Sequence, residues 1–173
     1  MKNVQKDFII VGQGIAGSVV ALELIKRGKN IVVIDKPELS TSSRVAAGIW
    51  NPVVFKRLTK SWMIDELSPC LNEFYSSAEK TLGVKFLEER KIAKLFTDVH
   101  EINFWKKKVT EDMSEYLSEE ILEMHTPLQS KYSIVKQAGN LDTVAFLNAT
   151  TQYLKTKESY YITNHVFFLF LFQ

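Results

Sequence analysis

The chain's hydrophobic pattern is clearest near its start. Four apolar residues, Phe8 to Val11, run into a glycine-rich turn. Apolar positions then recur at helical spacing, Ile15, Val19, Leu22 and Ile25, and Arg27 and Gly28 supply stop signals. A second apolar run, Ile31 to Ile34, closes on Asp35. This order predicts strand, glycine turn, helix and strand, one βαβ unit over residues 8–35.

Further along, Leu67, Leu71, Phe74, Tyr75, Ala78 and Leu82 predict a long helix over residues 62–82. Pro69 belongs in an early turn or kinks it, Gly83 ends it, and Cys70 reads as a packed thiol within it. Residues 84–97 suggest two short strands around Glu88–Arg90. Asp98 and Glu101 form a capping pair for a helix through Lys108, with Phe104 and Trp105 on its apolar side. Thr110 to Met124 reads as a second, acidic amphipathic helix carrying Met113, Leu117 and Ile121. Residues 132–137 form a strand and Ala138-Gly139-Asn140 a turn. Asp142 caps a helix to about Lys155, with Val144, Ala145, Leu147 and Leu154 inward. The last apolar run, Val166 to Phe172, is too short to span a bilayer; it is either a buried parallel strand or the product of a truncated or shifted frame.

The glycine turn is Gly12-Gln13-Gly14-Ile15-Ala16-Gly17, a GxGxxG. In such a turn the first glycine permits the bend, the second lets a pyrophosphate approach the backbone, and the third lets the helix pack closely on the strands. The N–H groups and positive dipole end of the helix hold phosphate. Asp35 follows Gly17 by 18 residues and suits hydrogen bonding to a ribose; an acid there argues against a 2′-phosphate. A dinucleotide is therefore expected at Gly12, Gly14, Ile15, Ala16, Gly17, Asp35 and Lys36.

Composition narrows the remaining classes. The chain has 173 residues, 46% hydrophobic and 24% charged, which is a globular composition. A net charge of +2 and no clustering of arginines with aromatics give no nucleic-acid surface. The single cysteine excludes an internal disulfide, and glycines and Glu23 interrupt the only signal-like run, so a cytoplasmic location is expected. His100, His125 and His165 lack ligand spacing, and no CxxC, HExxH, serine elbow or GxxxxGK[ST] is present, so no metal site is expected. The basic cluster 56–60 is a solvated loop or a rim that attracts an anionic substrate.

The βαβ unit alone does not separate NAD from FAD. The following stretch does: Ser40–Ser43 are hydroxylic, Arg44 follows, then Ala46-Ala47-Gly48 and Asn51-Pro52. An NAD domain more usually continues into a helix and strand. The N-terminal glycine fingerprint, Asp35 and Ser42-Ser43-Arg44-Val45-Ala46-Ala47-Gly48-Ile49-Trp50-Asn51-Pro52 resemble the FAD-dependent D-amino acid oxidase and glycine oxidase superfamily. Gly139-Asn140-Leu141-Asp142 with Phe146-Leu147 resembles that family's return into the FAD domain. The resemblance covers roughly residues 7–157 and is tightest over 9–52.

The resemblance implies an α/β fold, a Rossmann-like FAD-binding βαβ unit followed by the start of an α+β substrate domain. It divides the chain into 1–52 (FAD-binding), 53–137 (partial substrate domain), 138–157 (return helix) and 158–173 (an atypical tail). Ser42 and Ser43 would lie near phosphate, and Ala47 and Gly48 would border the isoalloxazine. The implied reaction is oxidation of an amine or amino acid by hydride transfer to FAD. No catalytic residue is assigned, because the family's carboxylate anchor lies in a half that this sequence does not match. The chain is expected to be truncated, to bind FAD weakly and to turn over poorly. An NAD-binding dehydrogenase domain and a non-catalytic flavoenzyme fragment are the alternatives.

Overall fold

The computed structural model describes residues 5–36, 40–124 and 130–163. In chain order the elements are β1 (Phe8–Val11), α1 (Ile15–Lys26), β2 (Ile31–Asp35), α2 (Ser42–Val45), β3 (Ile49–Trp50), β4 (Val53–Val54), β5 (Thr59–Lys60), α3 (Ile64–Leu82), β6 (Leu87–Glu89), β7 (Ile92–Leu95), α4 (Val99–Lys108), a π-helical turn (Val109–Met113), β8 (Leu122–Glu123), β9 (Lys131–Val135), β10 (Gly139–Leu141), α5 (Thr143–Thr156) and β11 (Tyr160–Ile162). They form two compact units. One comprises Met1–Ala47, Ser77–Phe86 and Asp142–Gln173, and the other Gly48–Ser76 and Leu87–Leu141.

The first unit is built on a parallel sheet of order β1-β2-β11. Phe8 to Val11 pair in register with Ile31 to Ile34, and Tyr160 and Ile162 pair with Val33 and Asp35. Ala21, Ile31, Val33 and Leu154 are buried together, with Ile10, Leu24, Ile25 and Tyr160 packed against them. The apolar stripe of α1 is thus closed by the strands on which it folds back. Asp142 caps α5 by accepting the Ala145 N–H at 2.9 Å, and the Phe146 ring meets Phe86 edge-on at 5.2 Å. The Glu79 carboxylate of α3 accepts the Phe86 N–H at 2.9 Å and the Lys85 ammonium at 2.5 Å.

The second unit holds two antiparallel sheets, β3-β10-β6 and β7-β9-β8, and the hairpin β4-β5. Trp105, Met113, Tyr116, Leu117 and Val135 centre its core. The Trp105 indole N–H donates to the Ser118 carbonyl at 2.9 Å, so this large ring is buried without stranding its polar atom.

Several local expectations are corrected. Thr110–Met124 is not a helix: after the π turn the chain runs beside β9, where Ser118 N–H donates to the Ile134 carbonyl and Lys136 N–H to the Tyr116 carbonyl. Met113 and Leu117 are buried as their pattern demanded, but pairing with β9 overrides the helical period. Ala138-Gly139-Asn140 is not a turn, because Gly139 and Asn140 begin β10 between β3 and β6. The two strands around Glu88–Arg90 exist, but each pairs elsewhere, β6 with β10 and β7 with β9. Cys70 is exposed, not packed. Phe104 and Val144 also face outward; in α4 the inward position falls to the neighbouring Trp105, about 100° around the helix. The 40–52 loop contains the helical turn α2 and the strand β3. Pro69 lies inside α3, and the Asp65 carbonyl forgoes its bond without ending the helix. Lys56 and Arg57 are exposed in the β4–β5 connection. His125, His165 and the run Val166–Phe172 lie outside the described residues.

Candidate cofactor site

The site starts where β1 stops. Gly12 takes a left-handed φ of +92°, and its N–H donates to the Ile34 carbonyl at 2.8 Å, tying the turn to β2. Gly14 caps α1 without any side-chain bond. A Cβ on Gly17 would lie 2.0 Å from the Gly12 carbonyl oxygen, so only glycine allows the first turn of α1 to sit this close to the strand end. The N–H groups of Gly14, Ala16 and Gly17 find no protein acceptor among the described residues, while Ile15 N–H donates to the Ser43 hydroxyl at 3.2 Å. These are the orphan donors of a helix N-terminus, the groups that bind phosphate elsewhere.

Asp35, at the end of β2, is drawn into the same turn. Its Oδ1 accepts the Gln13 N–H at 2.9 Å and its Oδ2 accepts the Tyr160 hydroxyl at 2.9 Å. Burial, then the hydrogen bond to Asp35 and that residue's charge, push the Tyr160 phenol well above its ordinary range, while Arg44 pulls the other way. The phenol is therefore a neutral donor at physiological pH.

Of the expected site residues, the structure brings together Gly12, Gly14, Ile15, Ala16, Gly17, Asp35 and Ser43. Ser42 opens α2 and is exposed, and its neighbour Ser43 alone reaches the α1 terminus. Lys36 follows β2 on the surface, and Ala47 is exposed at the end of its segment. Gly48 belongs to the second unit, with φ +68° and its carbonyl accepting the Leu141 N–H at 2.9 Å.

Sequence reasoning missed Gln13 and Tyr160. The buried Gln13 amide donates to Ser18 Oγ at 3.1 Å and to the Leu147 carbonyl at 3.0 Å, and accepts from Thr151 at 2.7 Å. It ties the glycine turn to α5. A polar residue at the first variable position of GxGxxG was the signal available, but its partners on α5 lie 134 and 138 residues away. Tyr160 had no signal, because a three-residue strand flanked by Lys157, Glu158 and Thr163 has no readable period. Beside it, Arg44 bonds Asn148 at 3.0 Å, and both line a cavity of about 360 Å³ with Thr151, Lys155, Tyr160 and Ile162. No cluster of metal-ligating side chains occurs among the described residues, and no described helix is long and apolar enough to cross a membrane.

The chain is 40% identical over 57 residues to an uncharacterized oxidoreductase, YurR, of Bacillus subtilis, a stretch that covers 33% of this chain and 15% of that protein. Its fold is similar to that of L-amino acid deaminase from Proteus vulgaris (TM-score 0.66, 17% identity), covering 91% of this chain and 40% of the other. Glycine oxidase from Geobacillus kaustophilus is similar too (TM-score 0.65, 16% identity), with 91% of this chain and 46% of that one covered. The chain thus spans less than half the length of these structures. The family model described as FAD dependent oxidoreductase matches residues 7–166. The orphan N–H groups beside a carboxylate-ended β2 fit the dinucleotide that this family uses, which is FAD, not the alternative NAD. Nearly the whole chain is matched, and it belongs to the FAD-dependent oxidoreductase family.

Proposed function

We propose that the first unit holds the ADP portion of FAD, and that the protein to which this sequence belongs oxidises an amine or amino acid. The observation that carries the reading is the turn itself: unsatisfied N–H groups at the α1 terminus lie next to a carboxylate that is already oriented by two donors. Gly14, Ala16 and Gly17 would offer their N–H groups to the pyrophosphate, and Ser43 would exchange its bond from Ile15 for one to a phosphate oxygen. Asp35 would accept from the ribose hydroxyls. Ala47 and Gly48 remain the residues proposed to border the isoalloxazine, on the resemblance of the surrounding stretch. The proposed division stays 1–52 for the start of the FAD domain, 53–137 for part of a substrate domain, and 138–157 for the return helix.

Bound FAD supplies a hydride acceptor for oxidation at carbon. The amine assignment is supported by relatives of this fold named as a deaminase and an oxidase of amino acids. No residue here is assigned to acid–base chemistry. The chain, matching less than half of those structures, is proposed to turn over slowly.

The test is anaerobic mixing of the FAD-loaded chain with small amino acids and, separately, with 2-hydroxy acids of the same carbon skeleton. Bleaching of the flavin absorbance by an amino acid supports the reading. Bleaching by the hydroxy acids alone contradicts it.

A further inference from the structure

We propose that Tyr160 is a positioning residue for Asp35: its hydroxyl pins the carboxylate so that one lone pair on each oxygen is left for the ribose diol of the dinucleotide. The proposal rests on the reading of Asp35 as the ribose acceptor. An ionised carboxylate offers about four acceptor positions. Two are taken by donors from this chain, the Gln13 N–H on Oδ1 and the Tyr160 O–H on Oδ2, each at 2.9 Å. A vicinal diol brings two O–H donors, which matches what remains.

Tyr160 is well held for this role. It lies on β11 opposite Val33, two residues before Ile162, which pairs with Asp35 itself. Its ring packs against the cluster of Ala21, Ile31, Val33 and Leu154. The Lys155 ammonium sits over the ring, 5.8 Å from its centroid. These contacts hold the ring on the sheet while its hydroxyl bonds Asp35. The terminal torsion of an aspartate is otherwise broad and two-fold. Fixing both oxygens before the nucleotide arrives removes that ordering cost from binding. Burial and the acceptor together keep the phenol protonated, so it donates throughout the neutral range.

The experiment compares the dissociation constants of FAD and of its 2′-deoxyadenosine counterpart for the wild-type chain, Tyr160→Phe, Asp35→Asn and the double variant. Tyr160→Phe should weaken FAD roughly tenfold, the loss of one bond to a charged group. It should weaken the deoxy analogue much less, so that the ratio between the two ligands narrows. In the Asp35→Asn background the further change to Phe should have little effect. A purely structural role for Tyr160 would weaken both ligands equally and leave the ratio at its wild-type value, which would overturn the proposal. The ratio does not depend on the fraction of chain folded, because only folded chain binds either ligand. If Asp35→Asn keeps the wild-type ratio, Asp35 is not the ribose acceptor and the underlying reading fails instead.

Discussion

Gly17→Ala is the sharpest perturbation available to this site. A methyl group there meets the Gly12 carbonyl oxygen at 2.0 Å and the Gly12 carbonyl carbon at 3.1 Å. Both are backbone atoms held by the β1–β2 register and by the Gly12 N–H bond to Ile34, so no side chain can step aside. Contacts of this kind below 3.0 Å are essentially never seen, so the start of α1 must retreat by about an ångström. Overpacking of this sort costs roughly 1–3 kcal/mol. The better helix propensity of alanine returns about 1 kcal/mol, so the apoprotein should lose on the order of 0–2 kcal/mol. The effect on the nucleotide should be larger. The N–H groups of Gly14, Ala16 and Gly17 move as a set, and losing two bonds to a charged phosphate, at roughly 1.5–3 kcal/mol each, predicts at least a hundredfold weaker FAD binding. The assay is quenching of FAD fluorescence, with thermal unfolding of the apoprotein measured in parallel. Gly28→Ala is the control: its φ of +72° also penalises alanine, but nothing lies within 4 Å of the added methyl and the residue is far along the chain from the turn. It should cost about 1 kcal/mol of stability and leave FAD affinity unchanged. A Gly17→Ala chain that binds FAD within threefold of wild type would refute the reasoning.

Asp35→Ala should weaken FAD by at least tenfold, one bond to a charged acceptor being worth about 1.5–3 kcal/mol, while riboflavin binding, if measurable, stays unchanged; calorimetric titration reads both. Gly139→Ala should destabilise the second unit by roughly 1–3 kcal/mol, because its methyl would meet the Trp50 indole nitrogen at 2.4 Å and the Glu88 carbonyl at 2.5 Å; urea denaturation checks this, and an unchanged midpoint would contradict the β3-β10-β6 pairing. In alkali, the raised pKa of Tyr160 means that its contribution is complete below the ordinary tyrosine range, about pH 10, and is lost above it; Tyr160→Phe should flatten that limb of the stability profile. In acid, the Thr97 N–H and then Lys94 hold the Glu101 carboxyl below its usual range, so Glu101→Gln should remove part of the stability that is lost as the pH falls below about 4.

How much of this was legible in the sequence follows from where the determining contacts lie. The βαβ unit needs only local pattern, and β1, α1 and β2 fall where the apolar runs and Gly28 put them. Caps are local as well, and Asp98 and Asp142 accept the bonds expected of them. Non-local pairing was not legible. Met113, Leu117 and Ile121 recur at helical spacing, and only the bridge from Leu117 to Val135 of β9 explains why the helix does not continue through them. Gly139 looks like a turn residue until the Trp50 indole shows that the position needs a missing side chain. In the site, spacing identified Gly12, Gly14, Gly17 and Asp35, because the backbone alone creates those requirements. Gln13 reaches Leu147 across 134 residues and Tyr160 reaches Asp35 across 125, which no local pattern encodes.

The proposed FAD site at the glycine turn is open to a direct test. The most direct measurement is titration of FAD with the purified wild-type chain, followed by flavin fluorescence, with circular dichroism confirming that the chain is folded. An FAD site at the turn gives saturable quenching at one FAD per chain that ADP competes away and NAD competes poorly. A folded chain that leaves FAD fluorescence unchanged at saturating protein, or that NAD displaces as readily as ADP does, would contradict it.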